Sequence, residues 1–392
     1  MCLIGGDGSR GRYDHGPGGK PRPPIKPQRV TCYNRGSKCF LKYVTCPVQC
    51  PQVQPKDGKS KGCFLDCYSP KCEAVCRAST VRPAVMKAVV ITTPGDPQVL
   101  QVQEVENPEI GDNEVLIRVE ASALNRADTL QRKGLHPPPK GSSPYPGLEC
   151  SGIIEAVGKA VVRWKVGDQV CALLAGGGYA EKVSVPAGQV LPVPSGVSLK
   201  DAAAIPEVAC TVWSTVFMMS RLTAGETFLV NFRSLLSSGN EEKLAVCKDL
   251  GADVCINYKT EDFVARVKEE TGGKGVDVIL DNIGGAYFQR NIDSLNVDGR
   301  LFIIGFQGGT VAEVNLSGLL ARRLTVQAAG LRNRSLENKA AIVSEVEKNV
   351  WPAIAAGKVK PVVYKYFPLT EAAEAHQLME SSNHVGKILL IP

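Results

Sequence analysis

The feature that most constrains this 392-residue chain is an alternation that begins after Asp201. Short apolar runs at 227–230, 253–258, 276–281, 300–305 and 324–328 read as strands. Helical patterns at 241–250, 260–270 and 335–356 lie between them. Strands that take turns with helices bury both faces of their sheet, so the pattern predicts an α/β fold with a parallel, doubly wound sheet. The stretch before it has another texture. Residues 86–91 and 114–120 read as strands, the second with alternating polarity, and short strands with Gly/Pro turns continue to about Pro194. The end of the chain, 367–392, reads as a helix and a strand that return to this first, mostly-β domain. The expected boundaries are 86–205 together with 357–392 for that domain, and 206–356 for the doubly wound one.

Residues 1–85 belong to neither. They carry 15 Lys+Arg against 5 Asp+Glu, a net +10, and leave −3 for the rest of the chain. The whole excess of +7 therefore sits in an extension. Such a tail can attract polyanions. No aromatic-basic motif in it specifies a nucleic-acid-binding fold, so no specific nucleic-acid partner is expected. Residues 1–31 are rich in Gly and Pro and read as a disordered or polyproline II tether. Residues 32–76 hold Cys32, Cys39, Cys46, Cys50, Cys63, Cys67, Cys72 and Cys76. An even cysteine count in a short, poorly hydrophobic stretch reads as a disulfide framework. Zinc is the competing reading, but the repeated spacing is C-x3-C and no histidine lies among these cysteines. Residues 77–85 read as a linker.

The other cysteines, Cys150, Cys171, Cys210, Cys247 and Cys255, are scattered singly among apolar residues, as reduced core thiols are. No run of about 18 apolar residues marks a transmembrane helix. The polar, glycine-rich start at 1–20 lacks the apolar core of a signal peptide.

Several motifs occur together in 86–392. They are Ala121-Ser-Ala-Leu-Asn-Arg-Ala-Asp128, Pro146-Gly-Leu-Glu-Cys-Ser-Gly152, Gly167-Asp-Gln-Val170 and Gly177-Gly-Tyr-Ala-Glu181. Downstream stand Leu250-Gly-Ala-Asp253, Ile256-Asn-Tyr258, Asp281-Asn-Ile-Gly-Gly285 and Val385-Gly-Lys387. In combination they resemble the zeta-crystallin-like quinone oxidoreductases, of the p53-inducible type, within the medium-chain dehydrogenase/reductase superfamily. The resemblance implies a GroES-like catalytic domain, a Rossmann-like cofactor domain, NADPH, a small-molecule quinone substrate, a homodimer joined through an edge of the cofactor sheet, and a cytoplasmic location. The stretch Cys39-Phe-Leu-Lys-Tyr-Val-Thr-Cys46-Pro with Cys63-Phe-Leu-Asp-Cys67 resembles the cysteine-rich region of root-cap and late-embryogenesis-type secreted proteins. The two parts imply opposite redox compartments, and the larger one decides for the cytosol.

Zinc-dependent members of the superfamily place a Cys where Asn125 stands and a His where Leu148 stands. A metal-free site is therefore expected. The resemblance assigns Asn125 and Asp128, at a helix start, to the nicotinamide or substrate. His136 and Tyr145 are expected to wall the quinone site, with Tyr179 beside them. Lys243 and Tyr258 are expected near the 2′-phosphate of NADPH, and Asn282, Gly305, Phe306 and Arg332 along the cofactor. Bland alternatives stand beside each: Asn125 as a helix cap, His136 as loop surface, the tyrosines as packing, Lys243 as a surface charge.

One element is missing. The strand ending at Val230 should enter a glycine-rich turn and a helix whose N–H groups carry the pyrophosphate. Here Val230 is followed by Asn231-Phe-Arg-Ser-Leu-Leu-Ser-Ser-Gly-Asn240 and then Glu241. Adjacent parallel strands need a crossover of about a dozen residues, so 227–231 and 234–237 cannot both keep their family places. A clean deletion would cross from the first strand through helix 241–250 to a strand at 253–258, with Ser238 to Glu241 as a capping box. Arg233 is a weak substitute for the lost anion site. The sequence thus predicts that NADPH is held more weakly than in relatives, or not at all. It also leaves open a non-catalytic reductase fold fused to a cysteine-rich module, and a composite chain from faulty splicing near Met86.

Overall fold

The computed structural model describes residues 27–31, 39, 42–52, 61–65, 71–78, 84–231 and 241–392. They fall into two compact units, Met1–Ala84 and Val85–Pro392.

In the first unit, β1 (Arg29–Thr31) pairs antiparallel with β2 (Tyr43–Thr45), and β3 (Lys61–Leu65) pairs with β4 (Ala74–Ala78). Cys63 and Cys76 face one another across the second pair. They are bonded to Cys46 and Cys50, and a third disulfide joins Cys39 to Cys72. None of the C-x3-C pairs closes on itself. Cysteines four residues apart instead reach two neighbouring strands, a cross-link rather than a metal knuckle. Cys32 and Cys67 lie outside the described residues. One boundary needs correcting: Arg29–Thr31 is a strand, not tether. Val30 faces Val44 and packs against the buried cysteines Cys46, Cys50 and Cys63, which gives this polar segment an apolar anchor.

The second unit opens with a hairpin of β5 (Val85–Ile91) and β6 (Leu100–Glu106). β7 (Glu114–Ala123) leads into α1 (Arg126–Arg132), followed by β8 (Glu149–Val157), β9 (Gln169–Leu173), β10 (Lys182–Pro186) and β11 (Val190–Pro192). Their inward residues Val115, Ile117, Ile154, Val170, Val183 and Val185 form one dry core. Gly152 in β8 has a local reason: a Cβ there would lie 2.0 Å from the Arg118 carbonyl oxygen of β7.

A helical run from Asp201 to Met219 follows, containing α2 (Pro206–Val212). It is long and apolar enough to cross a membrane, which the sequence reading did not register, yet half of it is buried within the protein. Ala202, Ile205 and Cys210 pack on the catalytic sheet, and Val216 packs on the next one. Its apolarity is that of a core helix touching two sheets.

β12 (Phe228–Asn231) then leads, beyond 232–240, to α3 (Glu241–Asp249) and α4 (Phe263–Glu270). The expectations for Arg233, the strand at 234–237 and the box from Ser238 fall on 232–240, outside the described residues. Next come β13 (Val276–Asp281), α5 (Phe288–Ser294), β14 (Leu295–Ile303), α6 (Ser317–Ala321), β15 (Thr325–Ala328), α7 (Leu336–Asn349) and α8 (Trp351–Ala355). The four strands form a parallel sheet in the order β12-β13-β14-β15. The α/β expectation holds. The expected strand at 253–258 does not form. Asn257 turns the chain there, its carbonyl accepting from the N–H groups of Thr260 and Glu261, while Ile256 drops into the core around Phe263 and Ile279. The crossover from β12 therefore runs through α3 and α4 and arrives at β13 itself.

The chain ends with β16 (Val363–Pro368), α9 (Ala372–Ser381) and β17 (Lys387–Ile391). β17 lies antiparallel to β7, with Leu389 opposite Ala123, so the expected return to the first domain is made.

Candidate functional site

Two turns set the floor of the site. Asn125 is extended, with φ −129°, and caps α1; its backbone N–H donates to Asp128 Oδ2 at 2.8 Å. Opposite, Pro146-Gly-Leu-Glu149 folds tightly. Gly147 has φ +103°, and a Cβ there would lie 2.6 Å from Gly178 Cα, so only glycine fits. Its N–H donates to Asp128 Oδ1 at 2.9 Å. Asp128 is fully buried, and burial lifts its carboxyl to about 6 against the pull of these two N–H groups.

The turn also delivers Glu149. Its Oε1 accepts from Asn125 Nδ2 at 3.0 Å and from Lys387 Nζ at 2.6 Å, and its Oε2 accepts from the Glu207 N–H at 2.9 Å. Lys387 Nζ also donates to Asn125 Oδ1 at 2.7 Å. Both ends of the Asn125 amide are thus fixed by a buried ion pair. Burial works against the Lys387 ammonium, but Glu149 and Glu207 outweigh it and hold its pKa above the ordinary value. Burial raises the Glu207 carboxyl, opposed by Lys387.

A second polar chain crosses the same domain. Arg132 lies against Glu380 at 3.0 and 2.9 Å and against His376 Nδ1 at 3.3 Å. A guanidinium only donates, so Nδ1 accepts and Nε2 carries the proton toward Tyr179 Oη, 3.2 Å away. The Tyr179 hydroxyl in turn donates to Asp128 Oδ2 at 3.2 Å. Burial and the Arg132 charge hold His376 near 3, neutral. Tyr179 does not wall an open site: it is fully buried in the core with Leu124 and Phe367.

The predicted residues separate into groups. Asn125 and Asp128 sit together as expected, and Asn125 also takes the capping role. Tyr145 is half-buried against Met86, Ala88 and Ala180. His136 is half-buried in its loop, where burial and then Arg332 lower its pKa. Its carbonyl accepts from Arg332 Nη1 at 3.2 Å. Arg332 also donates to the Ala175 carbonyl at 2.9 Å and to Gln131 Oε1 at 2.7 Å, so it fastens the segment after β15 to the catalytic domain.

Asn282, Gly305 and Phe306 meet at the carboxyl ends of β13 and β14, where open α/β sheets bind ligands. A Cβ on Gly305 would lie 1.9 Å from Asn282 Oδ1. Phe306 is 53% exposed above Gly284. Lys243 and Tyr258 take different partners. Lys243 Nζ donates to the Ser382 carbonyl at 2.6 Å, whereas Tyr258 packs edge-on against Tyr287. Lys243 is only 4% exposed, so it is no surface charge.

Glu149, Glu207, Lys387 and His376 were missed by the sequence reading. The signal was available in part: Glu149 and Lys387 are lone charges at the ends of otherwise apolar strands.

A catalytic zinc does not fit. Leu148 offers only hydrocarbon, and the Asn125 oxygen is already held by an ammonium whose positive charge opposes a cation. A dinucleotide fits better. Gly305 leaves room beside Asn282, and a buried imidazole nitrogen, His384 Nδ1, has no hydrogen-bond partner.

Two family models match the chain: an alcohol dehydrogenase GroES-like domain over 111–195 and a zinc-binding dehydrogenase over 250–390. Residues 196–249, where the glycine turn would stand, lie between the two. Quinone oxidoreductase 1 of Escherichia coli K12 is 30% identical over 319 residues, which cover 76% of this chain and 97% of that protein. The quinone oxidoreductase of Rattus norvegicus is 29% identical over 329 residues, 78% of this chain and 98% of that one. The crystal structure of the Escherichia coli quinone oxidoreductase complexed with NADPH superposes with a TM-score of 0.70 at 30% identity, covering 79% of this chain and 100% of that one.

Proposed function

Since the chain belongs to the quinone oxidoreductase family, we propose that residues 86–392 form a zinc-independent NADPH:quinone reductase. The observation that carries the reading is an alignment spanning 97% of a quinone oxidoreductase. We read 86–205 with 357–392 as the catalytic domain and 206–356 as a shortened cofactor domain.

When bound, NADPH supplies the hydride. A quinone accepts hydride readily, because the resulting oxyanion is delocalised. The protein then needs to supply orientation and hydrogen bonds rather than a Lewis acid. Asn125, on its rigid frame of Glu149 and Lys387, and Asp128 are the residues assigned to the nicotinamide and substrate side. His136 and Tyr145 are assigned to the quinone rim, and Asn282, Gly305, Phe306 and Arg332 to the cofactor. The fixed Lys387 ammonium adds positive charge behind Asn125, where negative charge grows on the acceptor oxygen.

The proposed setting is the cytosol, where NADPH is abundant. The proposed assembly is a homodimer through β15, whose four residues are all exposed at the sheet edge. The full chain should oxidise NADPH only when a simple quinone such as 1,4-benzoquinone is added, and NADPH should be preferred to NADH. Absence of quinone-dependent oxidation at any NADPH concentration would overturn the reading. Equilibrium sedimentation tests the dimer.

A further inference from the structure

Around Ser382, at the end of α9, cationic groups from three separate parts of the chain converge. Arg126, the first residue of α1, donates from Nη2 to Ser382 Oγ at 2.6 Å. Lys243, from α3, donates from Nζ to the Ser382 carbonyl at 2.6 Å. His384 follows two residues later. It is 5% exposed, and its Nδ1 is buried without a hydrogen-bond partner. Burial and then the charges of Arg126 and Lys243 lower His384 to about 4, which places all three groups within one another's fields.

Part of this has a structural explanation. Ser382 is left-handed, with φ 57°, and ends α9, and a cation at a helix C-terminus satisfies a last carbonyl. That accounts for Lys243. It does not account for a second cation on the hydroxyl of the same residue, nor for a buried imidazole with an open nitrogen beside both.

We propose that Arg126, Lys243 and His384 form a side-chain cradle for a phosphate or diphosphate group. An anion of this class would exchange the neutral Ser382 acceptors for charge-assisted bonds from Arg126 and Lys243, and would give His384 Nδ1 a partner once the ring is protonated. Fixed side chains on α1, α3 and the segment after α9 would then do what backbone N–H groups do in a glycine turn, a turn this sequence lacks between Val230 and Glu241. The cradle stands on its own geometry. Identifying its anion with the diphosphate bridge of NADPH rests on the reductase reading, and free inorganic phosphate or pyrophosphate offers the same chemistry.

The test is calorimetric titration of the full chain with inorganic pyrophosphate at constant ionic strength, followed by displacement of bound pyrophosphate with NADPH. The wild type should bind pyrophosphate saturably. Arg126→Gln, Lys243→Gln and His384→Asn should each weaken it at least fivefold. Lys243→Arg should keep it, which separates lost charge from lost folding. Lys274→Gln, a basic residue on the turn before β13, should leave it unchanged. Displacement by NADPH assigns the anion to the cofactor. Pyrophosphate binding that depends on the three residues but ignores NADPH supports the cradle as a free-anion site and counts against the reductase reading. No saturable binding, or binding indifferent to all three variants, overturns the proposal.

Discussion

The catalytic and cofactor parts of the reductase unit keep their charges in different places. In the catalytic part the ion pairs are inside: the Arg132 side chain is 1% exposed where it meets Glu380, and Glu149 is 0% exposed where it meets Lys387. In the cofactor part they are mostly outside, as in Arg323 with Asp298, at 67% and 64% exposure, and Arg266 with Glu269 and Glu270. Buried pairs tie distant segments into one arrangement, here 132 to 380 and 149 to 387. Surface pairs tolerate rearrangement. The same contrast holds for the sheets. The catalytic sheet recruits its last strands from the far end of the chain, while the cofactor sheet pairs β12 directly with β13, without the strand–helix unit that relatives insert. A doubly wound sheet is built of repeating crossovers, so losing units shortens it. A sheet closed by buried charge has no unit that can be removed.

The sharpest way to break the comparison is Glu149→Ala. It strands the Lys387 ammonium and the Asn125 amide in a buried site, and should cost about 3–5 kcal/mol in the urea unfolding free energy. A loss of only a few tenths would mean the pair is dispensable. Gly305→Ala asks the same of the cofactor part. Its Cβ would collide with Asn282 Oδ1 at 1.9 Å, so about 1–3 kcal/mol of stability should go, and NADPH affinity with it. Unchanged NADPH affinity would remove Gly305 and Asn282 from the cofactor site.

His376 tests the buried chain through pH. Its folded pKa of about 3 lies below the ordinary 6.5, so its contribution is present above pH 6.5 and is lost as pH falls toward 3. The slope is at most about 1.4 kcal/mol per pH unit. His376→Gln should flatten this part of the acid limb; an unaltered limb would place the titration elsewhere. The smallest effect belongs to the surface. Arg323→Ala should leave the urea midpoint unchanged, and a clear shift would show that the cofactor part also relies on its ion pairs.

What could be read from the sequence follows the range of the interactions. The strand at 276–281 was legible because an apolar run in a parallel sheet is buried on both faces. Asn125 and Asp128 were legible because a cap and its partner lie three residues apart. Residues 253–258 have the composition of a strand, but a strand exists only with a partner, and Asn257 makes a turn instead. Glu149 with Lys387, and Tyr179 with His376, lie about two hundred residues apart or more, and no local pattern announces such a pairing. The first unit was legible as a disulfide scaffold, because cystines can replace a core in so short a stretch. At spans of 17 to 33 residues, each is worth about 3–4 kcal/mol in the chain-entropy model.

A polypeptide that holds both cystines and thiols must keep them from exchanging, because a thiolate attacks a disulfide whenever it can reach one. Burial raises the thiol pKa of Cys150, Cys171 and Cys210, and keeps each protonated and out of reach. Only Cys247 and Cys255 are partly exposed among the described thiols. The fold of the reductase unit therefore sequesters three of its five nucleophilic sulfurs once it has closed. During synthesis, scrambling becomes a race between closure of the β7–β9 core and oxidation of the first unit, and pulse alkylation of the nascent chain would time it.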